Sequence, residues 1–195
     1  MTFVPGRVRI GEHTLTFDEL VMQAHLARVQ LSATGFYRTP KIHYDRKAGS
    51  GRPFYYFAYG AAVAEVAIDT LTGENRVLAV DILHDVGRSL NPAIDLGQIE
   101  GGFVQGMGYS LVEEMVWDGP RLINPNLMDY KIPGTLDVPY NINPIIVEHP
   151  EPDGPYGAKG VGEISIVTVP AAICNAIARA VNINLRQLPM TSERV

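Results

Sequence analysis

The run Tyr156-Gly157-Ala158-Lys159-Gly160-Val161-Gly162-Glu163 sets three glycines and a lysine directly before a carboxylate. Glycines tolerate positive φ angles and let successive N–H groups converge, so such a run has the makings of an anion cradle. Glu163 is followed by the apolar stretch Ile164 to Val169. At the mouth of a buried element, desolvation would raise its pKa toward the range of a general base. The alternative is an ordinary surface or helix-capping glutamate. The run lacks the glycine spacing and terminal Lys-Ser/Thr pair of a phosphate loop, and it does not match the dinucleotide fingerprint, so nucleotide binding of those kinds is excluded.

A second concentration of unusual residues lies upstream. Gly97, Gly101, Gly102, Gly106 and Gly108 fall inside a segment that otherwise reads as helix. Together they would cost that helix about 3–5 kcal/mol relative to alanine. The four-residue spacings 97/101 and 102/106 clear a strip free of side chains, where another backbone or a flat ligand can approach. Gln98 and Gln105 are two turns apart and project on nearly the same side. A glutamine amide both donates and accepts, which suits a heterocycle or a phosphate beside such a strip. Helix packing explains the glycines equally well at this point.

Other chemistries find little support. His13, His25, His43, His84 and His149 show no metal-ligand spacing, so no protein-ligated metal is expected. His84-Asp85 at a strand end reads as a hydrogen-bonded structural pair before it reads as a site. No Gly-x-Ser-x-Gly elbow occurs, and the single cysteine, Cys174, lies on the apolar face of a helix. One cysteine also excludes an internal disulfide and any cysteine-rich metal cage within these residues, which points to a reducing, cytoplasmic setting.

These groups need a scaffold, and the chain of 195 residues is long enough to build one. With 46% apolar and 19% charged residues it reads as a folded globular protein, without a signal peptide or a stretch of membrane-spanning length. Its formal charge of -5 makes nucleic acid an unsuitable partner. Thr16 and Glu19 have capping-box spacing, and Leu20, Ala24, Ala27 and Leu31 follow at helical intervals, which predicts a helix over 16–34 stopped by Gly35. Residues 36–53 read as an exposed, basic connection. Residues 54–69 and 75–86, joined by Thr70-Leu71-Thr72-Gly73, read as a β-hairpin. Asn91-Pro92 starts a helix running to about residue 114, a short strand is expected at 145–147, and Pro170 opens a last amphipathic helix to 181. The expectation is a single α+β domain, with a lead-in over 1–53 and a core over 54–195, in which antiparallel strands pack against three helices.

The segment from Phe54 to Gly108, FYYFAYGAAVAEVAIDTLTGENRVLAVDILHDVGRSLNPAIDLGQIEGGFVQGMG, resembles the C-terminal part of the molybdenum-binding subunit of the xanthine dehydrogenase family. SATGFYRTPKIHYDR from Ser32 is similar to the same subunit, and GAKGVGE at 157–163 resembles the family's active-site turn. Residues 124–139 and the tail including LRQLPMTSERV look closer to the carbon monoxide and nicotinate branches of the family. The resemblance implies a molybdopterin cofactor whose dithiolene holds molybdenum without a protein ligand. It implies that Gln98 lines the molybdopterin site, with Gly97, Lys159, Gly160 and Gly162 assigned to cofactor binding beside it. It further implies that Glu163 is the catalytic base, deprotonating a molybdenum-bound hydroxyl that attacks an electron-poor carbon of a purine or similar heterocycle while hydride passes to sulfur. The family's subunit is several times longer, so the rest of that subunit and the FAD and iron–sulfur subunits are implied partners, and the isolated chain is expected to be inactive. Two other roles stay open: a docking subunit that completes a partner's molybdopterin site, and a ligand-free fragment that self-associates.

Overall fold

A computed structural model describes all residues from Met1 to Val195. The chain divides into two compact units, Met1–Arg38 and Thr39–Val195.

In the first unit, β1 (Thr2–Val4), β2 (Arg7–Ile10) and β3 (His13–Thr16) form an antiparallel meander not foreseen from the sequence, followed by α1 (Phe17–Leu26). The capping box forms as expected: Glu19 N–H donates to Thr16 Oγ1 at 3.2 Å, and Thr16 N–H donates to Glu19 Oε2 at 2.9 Å. The helix stops well short of Gly35. Arg28 takes a left-handed conformation (φ 56°), and the N–H groups of Val29 and Arg28 close back onto the carbonyls of Ala24 and His25. This is a Schellman-type stop, built on an arginine where glycine would have advertised it.

The second unit carries the core. β4 (His43–Asp45) and β5 (Ser50–Arg52) make a small hairpin inside the expected connection. β6 (Gly60–Ile68) and β7 (Asn75–Asp85) form the long predicted hairpin. Gly73 is required in its turn: its φ is +76°, and a β-carbon there would lie 2.1 Å from the Ser192 carbonyl oxygen. A bulge at Leu78 lets Val77 and Val80, of opposite parity, both point inward. α2 (Pro92–Leu111) then crosses over the sheet, with Asn91 at its N-cap. β8 (Trp117–Asp118) and β9 (Arg121–Leu122) pair around Gly119, and β10 (Asn141–Val147) returns to the sheet. β10 is parallel to β7, so the sheet β10-β7-β6 is mixed where only antiparallel pairing was expected. The α2 crossover makes the parallel return geometrically feasible.

Two single-turn 3-10 segments, Pro155–Gly157 and Ile164–Val167, precede α3 (Val169–Val181). Residues 164–181 do reach the length and apolarity of a membrane span, with mean hydropathy 1.7, contrary to the sequence expectation. Here the stretch is broken into two helical pieces, and Val169, Ile173 and Ile177 are fully buried. α2 and α3 enclose a core of Val80, Ile82, Ile99, Phe103, Met107, Val169, Ile173 and Ile177 against the sheet. The α+β class follows, with three helices and mixed sheets.

Candidate functional site

Four of the five glycines of α2 divide into two sets. Gly102 and Gly106 are packing glycines: a β-carbon on Gly102 would lie 2.0 Å from Ser165 Oγ, and one on Gly106 would lie 3.0 Å from Val169 Cγ1. They let residues 165–170 close onto α2. Gly97 and Gly101 meet nothing within 4 Å of an added β-carbon and are exposed. Packing therefore accounts for Gly102 and Gly106, while Gly97 and Gly101 stay bare.

Gln98 lies on the open half. Its Oε1 would stand 3.2 Å from a β-carbon placed on Gly162, so the glycine turn before Glu163 is seated against α2 at Gln98. Sixty-four residues of sequence separate the two, and the fold brings them together. Gln98, Gly162 and Glu163 are all exposed. Gln105 faces the same side, its amide donating to Tyr109 Oη.

The turn itself is stitched to the end of β7. Gly87 and Ala158 form an isolated bridge, with Lys159 N–H donating to Val86 O at 3.0 Å and Arg88 N–H donating to Gly157 O at 2.8 Å. Gly87 has φ +66°, and a β-carbon there would sit 2.5 Å from the Gly157 carbonyl oxygen, so no larger residue fits. Gly160 N–H donates to Tyr56 Oη at 2.7 Å.

Lys159 is turned inward. Its Nζ donates to Asp85 Oδ2 at 2.7 Å and to Phe57 O at 3.0 Å, and the two charged side chains are 2% and 3% exposed. Burial pushes the Asp85 carboxyl up, but hydrogen bonds from Lys159 and Gly87 N–H outweigh it and hold the group below the usual carboxylate range. His84 is buried beside them, its Nε2 without a hydrogen-bond partner; burial lowers its pKa, opposed by the charge of Asp85.

Four expectations are corrected here. The anion cradle is filled by the protein, because the N–H groups of residues 157–160 go to Gly154 O, Pro155 O, Val86 O and Tyr56 Oη. Lys159 offers no cation to a ligand, since its ammonium is spent on Asp85 and Phe57. Glu163 is exposed, so nothing in these residues desolvates it. His84-Asp85 does not pair internally as expected; Asp85 pairs with Lys159 instead. Tyr56 was missed altogether, as one tyrosine in an aromatic run gives no sign that its hydroxyl reaches residue 160.

What remains open on this face is one amide, two bare helix positions and one carboxylate. That donor set fits the hydrogen-bonding edge of a flat heterocycle such as a pterin. Gln98, Gly97, Gly160, Gly162 and Glu163 supply no cation for a phosphate. No group of three or more His, Cys, Asp or Glu side chains is arranged to hold a metal ion.

Residues 1–139 match the sequence model of the molybdopterin cofactor-binding domain. The chain belongs to that family. Among curated relatives of this cofactor-binding domain, the xanthine dehydrogenase of Oryza sativa subsp. japonica is 47% identical over 162 residues, covering 78% of this chain and 12% of the relative. The xanthine dehydrogenase of Dictyostelium discoideum is 43% identical over 202 residues, 96% of this chain and 15% of the relative. The chain thus spans about an eighth of the length of these relatives. Solved structures agree with the fold. Aldehyde oxidoreductase from Desulfovibrio gigas superposes with a TM-score of 0.75 at 33% identity, over 92% of this chain and 19% of that one. Quinoline 2-oxidoreductase from Pseudomonas putida 86 gives 0.69 at 33% identity, over 97% and 24%. This chain corresponds to only a small part of either neighbour.

Proposed function

We propose that this chain contributes one wall of the molybdopterin site of a xanthine dehydrogenase-like hydroxylase, with Glu163 as general base and Gln98 as a cofactor contact. The observation that carries the reading is the seating of Gly162 against Gln98 Oε1, which puts the amide and the neighbouring carboxylate on one exposed face beside bare Gly97 and Gly101. Gln98 would hold the pterin edge through its amide, and the bare backbone at Gly97 leaves room for a flat ring. Gly160 and Gly162 carry the turn, and Lys159 braces it from within. When bound, the cofactor supplies the two-electron oxidation that no side chain here can perform. Glu163 accepts the proton of the attacking hydroxyl at a carboxylate oxygen, and an electron-poor carbon of a purine or related heterocycle is the proposed target.

The openness of the face sets the limit on what the chain does alone. Small-molecule sites normally bury most of the ligand. The other wall, the phosphate contacts and the desolvation that Glu163 needs therefore belong to the rest of a molybdenum subunit, with FAD and iron–sulfur partners as electron acceptors. The isolated chain is proposed to be inactive. A cytoplasmic setting is part of the same proposal and rests on Cys174, a free thiol whose pKa is raised by burial on α3. The same exposed face would serve a docking subunit that completes a partner's site. Molybdenum content and solution mass of the purified chain separate these roles from that of a metal-free homo-oligomer. Glu163→Gln in the assembled enzyme tests the base directly: turnover is lost while molybdenum content is unchanged, and retained turnover removes Glu163 from the mechanism.

A further inference from the structure

The backbone leading to Glu163 is held far more firmly than a glycine-rich turn on an open face requires. Tyr56 Oη takes the Gly160 N–H at 2.7 Å. Lys159 Nζ reaches Asp85 Oδ2 at 2.7 Å and Phe57 O at 3.0 Å, while Asp85 Oδ1 accepts Gly87 N–H at 2.9 Å and Asp85 N–H donates to Tyr59 O at 2.9 Å. Residues 56–59 and 85–87 therefore grip residues 159 and 160 from two directions. Val161 then packs against the core, Gly162 rests on Gln98, and the Glu163 carbonyl accepts Ile166 N–H at 3.1 Å. A buried ion pair contributes little net stability, because desolvating two charges offsets most of their attraction. Stability alone thus gives no reason for a charged pair here. Geometry does, since two glycines within three residues would otherwise leave Glu163 free to sample many positions.

We infer that Tyr56 and the Asp85–Lys159 pair are positioning residues for the Glu163 carboxylate, acting through the backbone of residues 159–162. The inference rests on the reading of Glu163 as the base. Tyr56→Phe deletes a single oxygen from a half-buried ring and leaves the core intact. In the full chain, amide hydrogen exchange at Gly160 to Glu163 should accelerate by about tenfold or more, while amides of β7 and α2 keep their rates. The double variant Asp85→Asn/Lys159→Met, which removes both charges together, should produce the same localised acceleration. In the assembled enzyme, Tyr56→Phe should lower kcat while KM stays within about twofold, the signature of a misplaced base and not of lost substrate binding.

Unchanged exchange at 160–163 in both variants overturns the inference. So does uniform acceleration across β7, α2 and the turn, because the groups would then hold the fold and not the loop. The two levels of the argument fail separately. If Glu163→Gln retains turnover, the base assignment falls, and the positioning role falls with it whatever the exchange rates. If Glu163→Gln is inactive and the exchange rates do not move, only the positioning role is lost.

Discussion

Gln98 Oε1 would lie 3.2 Å from a β-carbon on Gly162, so the α2 helix and the turn before Glu163 are spaced for a glycine and for nothing larger without adjustment. The atom in the way is the end of a flexible side chain, which can swing aside. Gly162→Ala is therefore expected to change thermal stability by less than about 1 kcal/mol, because the residue is not held at positive φ and the neighbour can yield. It should nevertheless displace the Gln98 amide. In the assembled enzyme, cofactor retention measured as molybdenum per chain should fall with Gly162→Ala and fall further with Gln98→Ala. Normal retention in Gln98→Ala would return that residue to ordinary helix surface.

The two sets of glycines on α2 respond in opposite directions. Gly97→Ala adds a methyl group into open space within a helix and should stabilise the chain by about 0.5–1 kcal/mol in urea denaturation. Gly102→Ala drives a β-carbon into Ser165 and should destabilise it by about 1–3 kcal/mol. If Gly97 is left bare for the cofactor, the stabilised Gly97→Ala chain should also lose cofactor retention after assembly. Gain of stability without that loss would leave Gly97 without a role in binding.

Acid should weaken the fold in two stages. His84 is buried with its pKa lowered below 6.5, so the unfolded state binds a proton that the native state refuses. Its contribution is complete above 6.5 and is lost as pH falls through its native pKa. Asp85 is held below 3.8, so its contribution is complete above that value and is lost only in stronger acid. Melting temperature followed from neutral pH downward should fall first in the histidine range and again below the carboxylate range. His84→Leu should remove the first step and leave the second. A first step that persists in that variant would assign it to another group.

Much of the scaffold could be read from local signals. The Thr16/Glu19 capping box, the Asn91-Pro92 helix start and the Gly73 hairpin turn each carry their geometry in adjacent residues, and each forms as expected. The end of α1 was not legible, because Arg28 stands in a left-handed position that composition assigns to glycine. Nor was the direction of β10, since a short apolar strand carries the same pattern whether its partner runs parallel or antiparallel. For the site, residue types pointed to the glycine helix and the turn, which the fold seats against each other at Gln98 and Gly162. Which glycines pack and which stay open depends on where residues 165–170 land, and that is decided by tertiary structure. Lys159 misled for the same reason. Its partner Asp85 lies 74 residues away, and nothing near either residue marks the pairing.

The mixed sheet also sets an order in time. β6 and β7 meet across a short turn, so their pairing is a local search. β10 must find β7 from 62 residues away, with α2 already formed or forming between them, and the entropy of closing that long loop makes it the slower step. The turn bearing Glu163 follows β10 and docks on the end of β7, beside the strand that arrives late. A nascent chain therefore acquires its hydrophobic hairpin early and the presentation of the Glu163 carboxylate last.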